Sequence, residues 1–354
     1  MKRTGNLWPQ LISFRNLLEA AKKAAAGKRG RPDVAAFNIN LEWEILRLQR
    51  ELAEGSYRPG PYRGFVVRDP KPRLISAAPF RDRVVHHSLS QVLEPIFERR
   101  FSNDSFACRK GLGTHRALAR AREGARRYTY VLKCDIRKYF ASIDHEILKQ
   151  TLSRTVKCGP TLDLAARIID GSNLQEQRIA YFPGDDLFTP YERRRGLPLG
   201  NQTSQFFANV YLNSLDQVNR KLRPGIYVRY VDDFLLFDNG KDRLAVMAQA
   251  IREALWAMRL DLHPGKSRIY RSTDGMTFLG WRLFPQRARL VRENVIRFRR
   301  RMRRLQTEYA QGKLEWKDIC QRVRAWIAHA NHGDTWRLRQ ALFEEFAFSR
   351  GRAV

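Results

Sequence analysis

The chain has 354 residues, with 66 Lys and Arg against 36 Asp and Glu, a formal charge of +30. Hydrophobic residues make up 43%, which excludes a disordered basic tail and allows two or three subdomains around a sizeable core. A charge excess of this size points to a polyanion, and nucleic acid stands ahead of a membrane surface because the sequence has neither a lipidation signal nor a long apolar span. The four cysteines, Cys108, Cys134, Cys158 and Cys320, lack CxxC spacing, so neither a zinc site nor a disulfide framework is expected. Residues 1–8 lack a signal-peptide apolar core, and the cytoplasm is the expected compartment.

In chain order, Leu11, Phe14, Leu17, Leu18 and Ala21 recur at helical spacing over residues 10–27. Lys28-Arg29-Gly30-Arg31-Pro32 reads as a basic loop, and a second helix is predicted over 41–52. Phe65-Val66-Val67 and Leu74-Ile75-Ser76 are predicted to pair as strands around a turn at 69–72. A long helix over 82–97 follows, carrying Val84, Val85, Leu89, Val92 and Leu93. Alternating helices and strands to about residue 285 predict an α+β body. Residues 291–309 read as a helix with seven arginines between 292 and 304. Val295, Ile296, Phe298, Met302 and Leu305 would form its inner face. Further helices carry Trp316, Trp326 and Trp336. A basic bundle of this kind suits gripping a duplex, a solvated charged helix being the alternative.

The most informative motif is Tyr230-Val231-Asp232-Asp233, set between the apolar runs Ile226-Tyr227-Val228-Arg229 and Phe234-Leu235-Leu236-Phe237. Two aromatic, β-branched runs around adjacent acids predict a hairpin with carboxylates at its tip. A solvated Asp-Asp turn is the plain alternative. A second strand, 130–136, ends at Asp135. Together, Asp135, Asp232 and Asp233 can converge on neighbouring strands of one sheet and hold two Mg²⁺ ions for in-line phosphoryl transfer.

With these residues in place, the chain from about 40 to 330 resembles a reverse transcriptase. Lys71-Pro72-Arg73-Leu74-Ile75 with Phe80 to His86, then 105–115, resemble the fingers motifs. Residues 135–145, 196–205, 260–266 and 277–281 follow in the family's order. The resemblance implies a right-hand fold: an N-terminal helical extension (1–55), fingers (56–125), a palm with an antiparallel sheet and a fingers insertion (126–285), and a helical basic thumb (286–354). It implies that Asp135, Asp232, Asp233 and the backbone carbonyl of Ile136 bind metal, with Mg²⁺ as cofactor and Mn²⁺ as a substitute. Arg73, with Lys71 as an alternative, would neutralise the incoming dNTP triphosphate, a surface turn being the plain reading for both. Phe140 would exclude a 2′-hydroxyl, unless it is a core aromatic. Gly200 and Gln205 would lie against the nascent base pair, with Thr203 or Ser204 capping the helix there. Lys266 would protonate pyrophosphate, or is a plain surface lysine. Tyr230 and the hairpin Phe278-Leu279-Gly280-Trp281 would hold the primer, and Arg297, Arg300, Arg301 and Arg304 would hold the template RNA and the cDNA/RNA duplex.

Gly200-Asn201-Gln202-Thr203-Ser204-Gln205, with Leu199 where group II intron enzymes usually carry Gln, is similar to the diversity-generating retroelement type. That type copies a template RNA with errors mainly at adenine and works with a small basic accessory protein. A defence enzyme with a dedicated non-coding RNA is the alternative, and a catalytically idle RNA-binding scaffold the alternative of another class. No maturase or HNH region is read after the thumb, so self-mobility is not expected.

Overall fold

The computed structural model describes residues 2–68, 72–172 and 179–350. Lys71, and the turn expected at 69–72 apart from Pro72, lie outside them. The first strands, β1 (Arg63–Val67) and β2 (Arg73–Ala77), pair antiparallel with Val67 opposite Arg73. Every residue of β1 is exposed, while Ser76 of β2 is buried. The hairpin therefore projects from the body and is anchored at its base. There the Ser76 N–H donates to the Leu199 carbonyl at 3.0 Å, and the Asn201 Nδ2 donates to the Ser76 carbonyl at 2.9 Å.

The central sheet contains β3 (Tyr130–Asp135), β4 (Ile226–Tyr230), β5 (Asp233–Asp238) and β6 (Arg268–Arg271), in the order β4-β5-β3-β6. All of its pairings are antiparallel. Phe234, Leu235, Leu236 and Phe237 of β5 are all fully buried, so this strand reads as a continuous apolar run rather than an alternation. The reason is a core on each face. Phe234 and Leu236 join a large core with the helices Phe80–Glu98, Gln202–Leu222 and Lys241–Ala257. Leu235 and Phe237 join a second core with the helix Thr114–Arg127.

The helix expected over 10–27 is interrupted, running as Trp8–Leu11 and then Phe14–Ala25. Ser13 is the cause: its hydroxyl caps the second helix by accepting from the Asn16 N–H at 3.3 Å. The expected basic loop ends in an unexpected helix, Pro32–Ile39, because proline is well suited to a first helical turn. The helices Leu41–Ala53 and Phe80–Glu98 lie where the periodicity placed them.

Beyond the central sheet, β7 (Met276–Phe278), β8 (Trp281–Leu283) and β9 (Ala288–Leu290) form a small sheet. It leads into the helices Arg292–Ala310, Trp316–Ala330 and Trp336–Glu344. Phe298, Met302 and Leu305 are buried, and the Phe298 ring stacks on Trp326 at 3.7 Å. Trp316 and Trp336 are exposed instead, because each sits at the first position of its helix, outside the bundle. Among the described residues no helix is long and apolar enough to cross a membrane.

Candidate active site

The β4–β5 hairpin closes with Tyr230 opposite Asp233, leaving Val231 and Asp232 as a two-residue turn. Val231 takes φ +56°, a left-handed conformation that a β-branched residue resists. A buried network holds it there. Arg229, fully buried, donates from Nη1 to the Val231 carbonyl at 3.1 Å. Its Nε and Nη2 grip Asp216 at 2.7 and 2.6 Å, and the Tyr227 hydroxyl donates to the same carboxylate at 2.8 Å. The charge on Arg229 stays fixed, since Asp216 outweighs the effect of burial and raises its pKa.

Asp135 ends β3 directly opposite Asp233 of β5, and directly paired residues of an antiparallel ladder present their side chains on one face. The Ile136 N–H donates to the Asp232 carbonyl at 3.2 Å, lashing the turn to the end of β3. On the other side, the Ile136–Leu262 bridge is carried by the Arg137 and His263 N–H groups. The carbonyl of Ile136 is thus left out of that ladder.

Burial is the main reason that the Asp232 carboxyl is pushed up to about 6, with Asp135 adding to it. The same effect carries Asp233 to about 7, with Asp135 and Asp232 contributing. Lys133, Lys266 and Arg73 pull the other way. The Asp233 Oδ1 is buried without a hydrogen-bond partner, so the protein leaves one carboxylate acceptor at this centre unsatisfied. Lys266 donates to both oxygens of Asp135, at 3.1 and 3.0 Å. Lys133 stands 3.7 Å from Asp233.

Among the described residues, no three acidic, His or Cys side chains are drawn in tightly enough to hold an ion as they stand. Mutual repulsion and the Lys266 ammonium account for the spacing. The donor set itself consists of hard oxygens, with an orphaned carboxylate oxygen and an uncommitted backbone carbonyl. It fits a hard divalent cation such as Mg²⁺.

Around this centre the remaining predicted residues fall into three groups. Arg73, at the start of β2, is close enough to lower the Asp232 pKa. Phe140 is half-buried on the short helix Tyr139–Ser142, its carbonyl accepting from the Leu197 N–H at 2.8 Å. Gly200 has φ +111°, and a Cβ there would come within 2.8 Å of Ile75 Cγ2. Asn201, rather than Thr203 or Ser204, is the N-cap residue, and its amide is spent on the β1–β2 hairpin. Gln205 is exposed on the first turn of that helix.

The hairpin expected to hold the primer pairs Phe278 opposite Trp281. Leu279 and Gly280 turn at φ +48° and +82°. Phe278 and Trp281 are buried in the second core, because the small sheet packs that face inward. They shape the hairpin, whose Leu279–Gly280 tip is half-buried, Leu279 packing against the same core and the Gly280 carbonyl accepting from the Val291 N–H and Asn294 Nδ2, both at 3.1 Å. Tyr230 accepts a hydrogen bond from the Thr114 hydroxyl at 3.1 Å. Arg297, Arg300, Arg301 and Arg304 line one groove of about 600 Å³. Sequence reasoning missed Arg229, Asp216 and Lys133. The available signal was an arginine inside an otherwise apolar strand.

Residues 68–283 match the family model described as reverse transcriptase (RNA-dependent DNA polymerase). The chain belongs to the reverse transcriptase family, and its fold is the α+β right-hand polymerase fold. It is similar to Protein YkfC of Escherichia coli (strain K12), 25% identical over 327 residues, which cover 79% of this chain and 83% of YkfC. It is also similar to the group II intron-encoded protein LtrA of Lactococcus lactis subsp. cremoris, 23% identical over 60% of this chain but only 33% of LtrA. Apo telomerase from Candida tropicalis superposes with a TM-score of 0.49 at 11% identity, over 66% of this chain and 49% of that one.

Proposed function

We propose that this protein synthesises DNA on an RNA template, using Asp135, Asp232 and Asp233 as the ligands of two divalent ions. The observation that carries the reading is the pairing of Asp135 with Asp233 across β3 and β5, with Asp232 in the adjoining turn. Ions bound there supply Lewis-acid charge for in-line nucleotidyl transfer. Arg73 neutralises the triphosphate, and the ring of Phe140 excludes a 2′-hydroxyl. Gly200 lets the backbone approach the nascent pair, with Gln205 beside it. Lys266 is the proton donor nearest the carboxylates, and the thumb arginines hold the duplex. The division into extension, fingers, palm and thumb at about residues 55, 125 and 285 belongs to the same reading.

Primer extension with dNTPs on an RNA template tests it. Asp232→Asn keeps the shape and removes the charge, and should lower the rate by more than about a hundredfold, several kcal/mol of lost charge stabilisation. Wild-type protein that fails to extend, with its own RNA present, would leave only the idle scaffold.

Within the family we favour the diversity-generating type, on Leu199 and the run from Gly200 to Gln205. Sequencing cDNA made from a defined template should show errors concentrated at template adenines, aided by a small basic accessory protein. An even spectrum across the four bases removes this assignment and favours a defence enzyme with its own non-coding RNA.

A further inference from the structure

A cavity of about 980 Å³ lies at the far end of β4 from the catalytic hairpin. Ile226 and Tyr227 line it, whereas Tyr230 adjoins the acids. Three to four residues of strand, about 10–13 Å, separate the two places. The cleft gathers Arg99, Arg100, Arg120, Arg154, Arg220 and Arg223 from the ends of three helices, the middle of Thr114–Arg127 and the turn before β4.

The charge there is poorly balanced. Asp216 is consumed by Arg229, and Asp104 stands 3.6 Å from Arg120. Arg99, Arg154, Arg220 and Arg223 are exposed and have no carboxylate within salt-bridge distance among the described residues. The nearby aromatics offer no stacking surface, since Phe101 and Tyr227 are 9% and 5% exposed. An apolar small ligand or a stacked base therefore finds little here, while a phosphodiester backbone finds a concentrated field. The lining also contains Asn213, whose Oδ1 is without a partner beneath the surface and meets a donor from the cleft when its side chain turns outward. A phosphate cannot donate to that acceptor. A 2′-hydroxyl can, and it is the group that separates RNA from DNA.

We propose that this cleft is a second RNA-binding site, separate from the polymerase groove, which holds the backbone of an RNA segment through the arginines and a 2′-hydroxyl through Asn213. The inference rests on charge and shape and does not depend on the polymerase reading, so a binding assay tests it independently of extension.

The full chain is first saturated with a short RNA/DNA primer–template, which fills the polymerase groove. A fluorescein-labelled RNA hairpin is then titrated, followed by its DNA counterpart, at several salt concentrations. Wild-type protein should bind the RNA hairpin at least several-fold more tightly than the DNA hairpin. The triple variant Arg154→Gln, Arg220→Gln, Arg223→Gln should lose about tenfold or more in RNA affinity. Its slope of log K against log salt should be shallower by about 2 to 3. The corresponding triple Lys variant should recover both, and all three proteins should extend the short primer equally. Unchanged affinity and slope in the Gln variant would overturn the proposal. Equal binding of DNA, failure of Lys to rescue, or a matching loss of primer extension would each do the same.

Discussion

Arg229 carries a full charge at zero exposure, and its hydrogen bond to the Val231 carbonyl fixes the one backbone conformation that this turn resists. Breaking a buried pair leaves its partner's charge uncompensated and costs about 3–5 kcal/mol. Asp216→Asn, measured by chemical denaturation, should therefore destabilise the protein by about that much. Arg229→Lys cannot reproduce the two-pronged grip and should lower the extension rate more than it raises KM for dNTP. An unfolding free energy within about 0.5 kcal/mol of wild type for Asp216→Asn would show that the network is not what holds the turn. The acids were legible in the sequence because each ends or follows an apolar β-branched run. Arg229 was not, since a single arginine in a strand ordinarily marks an outward face. Here both faces are covered, so its guanidinium had to find Asp216 in the adjacent helix.

At the scale of elements, the long helix Phe80–Glu98 carries two histidines toward the interior. Burial depresses His86 to about 3, with His87 and Arg83 adding to the effect. Burial likewise depresses His87, to about 4. Both stay neutral when folded and take up a proton when unfolded as pH falls below about 6.5. The unfolded state then binds more protons, so stability is complete above that pH and declines as pH falls toward the folded values. His86 alone should cost about 2 kcal/mol at pH 5 relative to neutrality. Thermal melts should show the combined loss of the two histidines, about twice that, and His86→Leu should roughly halve it; an equally steep variant would place the sensitivity elsewhere. The periodicity located this helix and β3, β4 and β5 of the central sheet, since apolar spacing decides both, but not the short, polar β6 (Arg268–Arg271). It missed Pro32–Ile39 because Gly30 and Pro32 in a basic run read as a break, whereas the proline opens the next helix. It also gave no sign that Phe278 and Trp281 turn inward, which depends on how the small β7-β8-β9 sheet packs against the second core.

Across the whole molecule, a net charge of +30 surrounds a small, buried negative centre. The groove lined by Arg297, Arg300, Arg301 and Arg304 was legible because its arginines lie close together in sequence. The cleft beyond β4 was not, because its arginines come from 99–100, 120, 154 and 220–223 and meet only in the fold. The three acids also meet only in the fold, about a hundred residues apart in sequence and joined by the β3–β5 register, yet their convergence was legible because each stands beside an apolar strand run. The most direct test of the account is the number of Mn²⁺ ions bound per chain, measured by electron paramagnetic resonance. The protein is assembled with a dideoxy-terminated primer on an RNA template and the next dNTP. The account predicts two ions on the wild-type complex and the loss of at least one in both Asp135→Asn and Asp233→Asn. The same ion count in those variants as in wild type would contradict it.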